Sequence, residues 1–193
     1  MRVRRYGDSG QAFPIYITVV GGLFFLALAY FAVGQAAVNR NNAQTAADAA
    51  ALAAALNTRD ELADDWVQDV LDPTKWDAIF HGDVSVADSC WRAQQLAEQN
   101  EATASCPPGG PLSFRVEAKT KGSVGDSVVP GTEHIQSTAS ATAVIEPLCT
   151  FTLSGAGGVL PELTCKDRNW TLDPDDLTNL PGPEDLFDVH LAD

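Results

Sequence analysis

Side chains with chemistry to offer are few and scattered in this sequence. The three histidines, His81, His134 and His190, stand far apart, and no H-E-x-x-H, nucleophile elbow, phosphate loop or dinucleotide fingerprint occurs. His81, in FHGD, lies beside an aromatic residue and a turn and reads as a surface histidine before a catalytic one. Asp64-Asp65 and Glu184-Asp185 pair carboxylates as acid-base work requires, but among 26 Asp and Glu such adjacency says little. Asp173, Asp175 and Asp176 resemble the start of a calcium loop without its DG turn or closing glutamate. Gly155, Gly157 and Gly158 form a GAGG turn that no lysine follows. These residues argue against an enzyme and call for neither a cofactor nor a metal.

Cysteine carries the clearest chemistry. Cys90, Cys106, Cys149 and Cys165 form two pairs of equal separation and fit an oxidising compartment. Four cysteines allow three connectivities; local pairing, Cys90 with Cys106 and Cys149 with Cys165, is the simplest. The first pair would close a loop ending in CPPGGP, worth ~3 kcal/mol where the geometry fits. The second would clip the loop containing SGAGG. Zinc is the competing use, but no pair has C-x-x-C spacing and the histidines are dispersed.

The elements that must carry these residues follow from a sharp division of polarity. The 193 residues bear a formal net charge of -14, which excludes nucleic acid as a partner. From Asn39 onward stand 9 Lys and Arg against 25 Asp and Glu, a net of -16. Arg2, Arg4, Arg5 and Asp8 come first, and then no Asp, Glu, Lys, Arg or His occurs from Gln11 to Asn39. Ile15 to Val33 is nearly all apolar, the length a helix needs to cross a bilayer, ~20 residues. The arginine cluster predicts the N-terminus inside and everything after Arg40 outside the cytoplasm, in a single-pass cytoplasmic-membrane protein. A cleavable secretory signal ending at Ala32-Val33-Gly34 is the alternative, although its apolar region is longer than the usual ~7–15 residues.

Beyond the apolar run, alanine at 46, 47, 49, 50, 51, 53, 54 and 55 predicts that the same helix continues outward, since alanine is the best helix former. From Ile15 to Leu56 it would span about 63 Å. Small side chains of this kind admit a second backbone closely, so the segment suits packing against a partner helix or the chain's own domain. An exposed rod is the alternative. An apolar stripe from Leu62 to Leu71 extends the pattern, and Trp91 to Asn100 reads as a short helix with Trp91, Leu96 and Ala97 on one face. Alternation predicts strands at Leu112–Ala118 and His134–Ile145, a further one at Cys149–Leu153, and a weaker one at Val84–Ala87. The expected architecture is α+β. A short basic leader (1–10) precedes a transmembrane helix (11–38) and an alanine-rich stalk (39–72). A small domain with an antiparallel sheet and two disulfides (73–168) and an acidic, proline-punctuated tail (169–193), loosely wrapped or mobile, complete it.

Two stretches together resemble a family. GQAFPIY, at the cytoplasmic lip of the apolar helix, and AQTAADAAALAAA, Ala43 to Ala55, are similar to the N-terminal region of TadE/TadG-like proteins, the pseudopilin or pilus-assembly components of bacterial Tad (Flp pilus) systems. Gln44, Ala47, Asp48, Ala49, Ala50, Ala51, Leu52 and Ala53 carry the more specific part of the likeness. The resemblance implies a membrane-anchored, structural component whose N-terminal helix meets the lipid bilayer and other Tad pilus or assembly subunits. It also implies a processing junction at Gly10-Gln11, where a prepilin peptidase would cut. Cutting there puts Ile15 where processed pseudopilins carry glutamate, with Tyr16 matching. Without that carboxylate a subunit's new amine lacks its counter-charge in hydrocarbon, which favours an uncleaved TadG-like anchor over a processed minor pilin. A bitopic envelope ligand-binding protein unrelated to pili is the remaining reading.

Overall fold

Between Gly34 and Pro73 no glycine or proline interrupts the chain, and the helix accordingly runs on without a break. A computed structural model describes residues 12–123, 134–153, 160–166 and 168–192. Helix α1 (Ala12–Gln68) holds 57 residues, about 86 Å at ~1.5 Å per residue. Pro14 lies in its first turn, where a missing N–H costs nothing. The two helical stretches expected around Asn57 are one helix. Asn57 and Thr58 do not break it because their side chains bond sideways: Thr58 Oγ1 and Ser89 Oγ share a buried hydrogen bond of 2.7 Å, and the Asn57 amide donates to Ser89 and Glu61.

Past α1 the chain turns at Asp72, whose carboxylate accepts from the Thr74 hydroxyl and backbone N–H. The Thr74 hydroxyl, then its N–H and the charge of Lys75, outweigh desolvation and lower the Asp72 pKa. The turn is therefore tightest above the ordinary carboxylate pKa and loosens as pH falls through the lowered one. Helices α2 (Trp76–Phe80) and α3 (Cys90–Gln99) follow, then strands β1 (Ala102–Ser105), β2 (Ser113–Thr120) and β3 (Thr138–Pro147). Gly82, at φ +70°, reverses the chain after α2 where a Cβ would lie 2.9 Å from Leu112. Val84–Ala87 forms no strand, contrary to the alternation there. The Ala87 N–H donates instead to Glu61 Oε2 at 2.9 Å, and Val84 and Val86 pack against the core.

Strands β4 (Cys149–Phe151), β5 (Leu163–Cys165) and β6 (Arg168–Trp170), helix α4 (Pro183–Leu186) and strand β7 (Phe187–Leu191) complete the chain. Four strands pair antiparallel in the order β1-β2-β3-β7, and β4-β5-β6 form a separate small sheet. Register sorts the large sheet into two faces: Val116 stands opposite Ala141, Ala118 opposite Ala139, and Ile145 opposite Val189. These inward residues face α1, which packs along β2, β3 and β7 and beside α3. Five rings close the far end of the core. Trp66 meets Trp76 at 5.3 Å, Trp76 meets Phe151 at 5.2 Å, and Phe80 lies between Phe151 and Phe187 at 6.1 and 5.4 Å.

The α+β architecture with an antiparallel sheet and two disulfides is thus as expected. Residues 39–68 form the core helix of the folded domain, and their alanine face lies under that domain's sheet. The tail of 169–193 does not hang apart: it supplies β6, α4 and β7, and β7 alternates Phe187, Val189 and Leu191 into the core beside β3.

Candidate functional site: a helix with two halves

The helix α1 changes character near Asn39. From Phe13 to Val38 its large apolar side chains are exposed on every side, with Phe25 71% and Tyr30 83% accessible, so no described part of the chain covers them. The hydroxyl of Thr18 bonds back to the carbonyls of Pro14 (3.0 Å) and Ile15 (2.9 Å), which satisfies that side chain within the helix. By length and composition this half is a candidate membrane span.

From Asn39 the helix acquires a continuous buried face. Ala43, Ala46, Ala47, Ala50, Ala51, Ala54 and Ala55 are fully buried, and the stripe continues through Thr58, Leu62, Trp66 and Val70. The spacing of three and four residues keeps one side of the helix on the sheet. Alanine is needed because the facing positions Ala118, Ala139, Ala141 and Ala143 are also small, and the two layers approach closely. The family-motif residues divide between this face and its opposite. Ala47, Ala50 and Ala51 are buried, Ala49, Leu52 and Ala53 half-buried, and Gln44 donates to Asp48 across one turn at 2.7 Å. An Ala50→Leu substitution is expected to lower stability by ~1–3 kcal/mol through overpacking, and Ala53→Leu to change it by less than about 0.5 kcal/mol. Thermal unfolding of the detergent-solubilised chain distinguishes the two.

The half-buried stripe lines a groove of about 560 Å³ in which Leu52, Ala53 and Leu56 of α1 face Trp91 and Leu96 of α3. Trp91, Leu96 and Ala97 were expected on one face of this helix. Helix α3 buries Ala93 and Ala97 against α1 and leaves Trp91 54% exposed, with the Arg92 guanidinium 5.8 Å from its ring. Small residues win the interface because α1 presents alanine there. Disulfide Cys90–Cys106 holds the start of α3 to the end of β1, and Cys149–Cys165 joins residues directly opposed between β4 and β5.

The remaining candidates do not converge. His81 is exposed 3.6 Å from Asp77, and His190 lies on the outward face of the sheet 3.5 Å from Asp188 and 3.8 Å from Glu146. His134 is exposed. Asp173 and Asp176 turn their carboxylates onto nearby backbone N–H groups, and the Thr178 hydroxyl and then its N–H lower the Asp176 pKa. Asp64-Asp65 and Glu184-Asp185 lie on α1 and α4; the Asp185 carboxylate accepts from the Gly182 N–H. Among the described residues no group of three or more His, Cys, Asp or Glu is placed to hold a metal ion. The Gly10-Gln11 junction and the Gly155–Gly158 turn lie outside the described residues.

The whole chain matches no curated protein and no solved structure. Its bare apolar half and its alanine face, however, fall inside one match to a family model. Residues 10–57 match the Tad family model, described as "Putative Flp pilus-assembly TadE/G-like", and the larger part of helix α1 is therefore similar to TadE/G-like proteins.

Proposed function

We propose that this chain is a membrane-anchored structural component of Tad (Flp) pilus assembly, without catalytic activity of its own. The observation that carries the reading is the coincidence of the TadE/G-like match with a single helix, apolar and bare through one half and docked under a sheet through the other. The helix crosses the cytoplasmic membrane with Arg2, Arg4 and Arg5 inside, since basic residues are retained on that side. The domain faces outward, where its two disulfides persist in an oxidising environment. Other Tad subunits meet the apolar half and the outward stripe of Leu52, Ala53 and Leu56. Asp48→Lys or bulk at Leu52 and Ala53 therefore reduces co-purification with Tad components.

The chain acts as a permanent anchor in preference to a processed minor pilin, because Ile15 stands where a cut after Gly10 would require a carboxylate. Intact mass and N-terminal sequencing of protein from its host's membranes test this, with a start at Met1 expected. A start at Gln11 transfers the assignment to a minor pilin handled by a prepilin peptidase. A start at Gln35 overturns the anchor altogether.

A further inference from the structure

Where α1 leaves its bare half, the foot of the domain encloses a cavity of about 300 Å³. Gln35, Asn39 and Asn42 line it from the helix, Asn100 and Glu101 from the turn between α3 and β1, and Thr120 from the end of β2. Asn39 is only 9% exposed, yet its Nδ2 has no hydrogen-bond partner. A buried amide left so costs about 1–3 kcal/mol, and it is a donor lacking an acceptor.

No acceptor among the lining groups lies within bonding distance of it. Asn100 uses its amide N–H to bond the Leu96 carbonyl at 2.9 Å, and the Thr120 hydroxyl is engaged with Gly122 and with Ser137. Glu101 brings the one formal charge among the six. It holds φ +53° at the residue following the α3 cap, a place where glycine or asparagine is the usual occupant. The cavity thus offers neutral amides on the helix side, the Asn39 donor among them unpaired, and a carboxylate on the opposite side.

Height supplies the remaining argument. The expected span ends at Val38, and Asn39 is the next residue, about 1.5 Å further along the axis. Headgroups fill roughly 5–7 Å on each side of the hydrocarbon. The cavity therefore opens at headgroup level. A purely anionic headgroup meets a domain whose net charge from Asn39 onward is -16, 9 basic against 25 acidic residues, whereas a headgroup carrying its own cation does not suffer that repulsion.

We propose that this cavity binds the headgroup of an amine-bearing phospholipid of the ethanolamine class, the phosphodiester oxygen accepting from Asn39 Nδ2 and the ammonium meeting Glu101. The inference rests on the bilayer-spanning reading of α1. Full-length protein in maltoside detergent is titrated with phosphatidylethanolamine, phosphatidylglycerol and soluble glycerophosphoethanolamine, and binding is followed by intrinsic fluorescence and by thermal unfolding. Phosphatidylethanolamine is expected to bind and to raise the unfolding temperature. Affinity falls roughly tenfold or more in Asn39→Ala, as loss of a charge-assisted hydrogen bond requires. Glu101→Gln, a conservative change at an exposed site, keeps the fold and abolishes the preference over phosphatidylglycerol.

Equal binding of phosphatidylglycerol by the wild type overturns the ammonium contact. Equal binding of glycerophosphoethanolamine overturns the lipid as its source, and no binding of any of the three overturns the site. Carbonate extraction of host membranes separates this from the anchor. Lipid binding absent with the chain still membrane-integral sinks the headgroup site alone, and release of the chain sinks the anchor.

Discussion

Trp66→Ala is expected to cost ~3–5 kcal/mol, enough to abolish cooperative unfolding in a domain of ordinary stability. Trp66 is fully buried near the C-terminal end of α1 and starts the ring chain that reaches Trp76, Phe151, Phe80 and Phe187. Those rings belong to α1, α2, the small sheet and β7, so the cavity left by truncation loosens four elements together. Its indole Nε1 is buried without a partner, which makes Trp66→Phe informative. That change removes the unpaired donor while keeping an aromatic ring, and the two effects offset to within ~1.5 kcal/mol. Circular dichroism on the full chain in detergent during chemical denaturation measures both. An alanine variant as stable as the wild type would remove Trp66 from the core.

Replacing both cysteines of either disulfide by serine is expected to cost ~3 kcal/mol, within the 2–5 kcal/mol typical of small extracytoplasmic domains. Each bridge has a sequence separation of 16, so 15 residues lie inside each loop and the chain-entropy effect is the same for both. The local consequences differ. Loss of Cys90–Cys106 frees the start of α3 from β1, and amide exchange should rise first in Trp91–Gln99. Loss of Cys149–Cys165 leaves the β4–β5 ladder intact, and exchange should rise in that small sheet while α3 stays protected. Equal exchange everywhere would mean that the domain unfolds as one unit.

Features with a simple period were legible in the sequence. The apolar run, the alanine helix and the two inward-alternating strands β2 and β3 each repeat a signal over many residues. The cysteine pairs needed only spacing. Tertiary context decided the rest. Phe187, Val189 and Leu191 alternate over just five residues amid aspartates, a pattern that resembles a solvated tail until β3 offers its edge. Strand β1, ATAS, contains no large apolar residue and exists through its pairing with β2. The shared face of Trp91, Leu96 and Ala97 did not say which of them is buried, and the alanine surface of α1 explains why smaller residues take the interface. Asn39 gave no sign of isolation, because an amide at the end of an apolar run reads as solvated until Asn100, Glu101 and Thr120 close over it.

On the proposed reading of α1 as a membrane anchor, a helix shared between a bilayer and a folded domain leaves no swivel between them. From Asn39 to Gln68 the docked length is about 44 Å at ~1.5 Å per residue, and the described backbone from Ala12 to Gln68 contains no interruption. Transmembrane helices tilt by ~20° on average; with a stiff lever of that length the same tilt displaces the domain's far end sideways by about 15 Å. Mechanical load applied to the sheet is delivered to the anchor as torque, and neighbours that reorient the anchor in turn re-aim the outer surface.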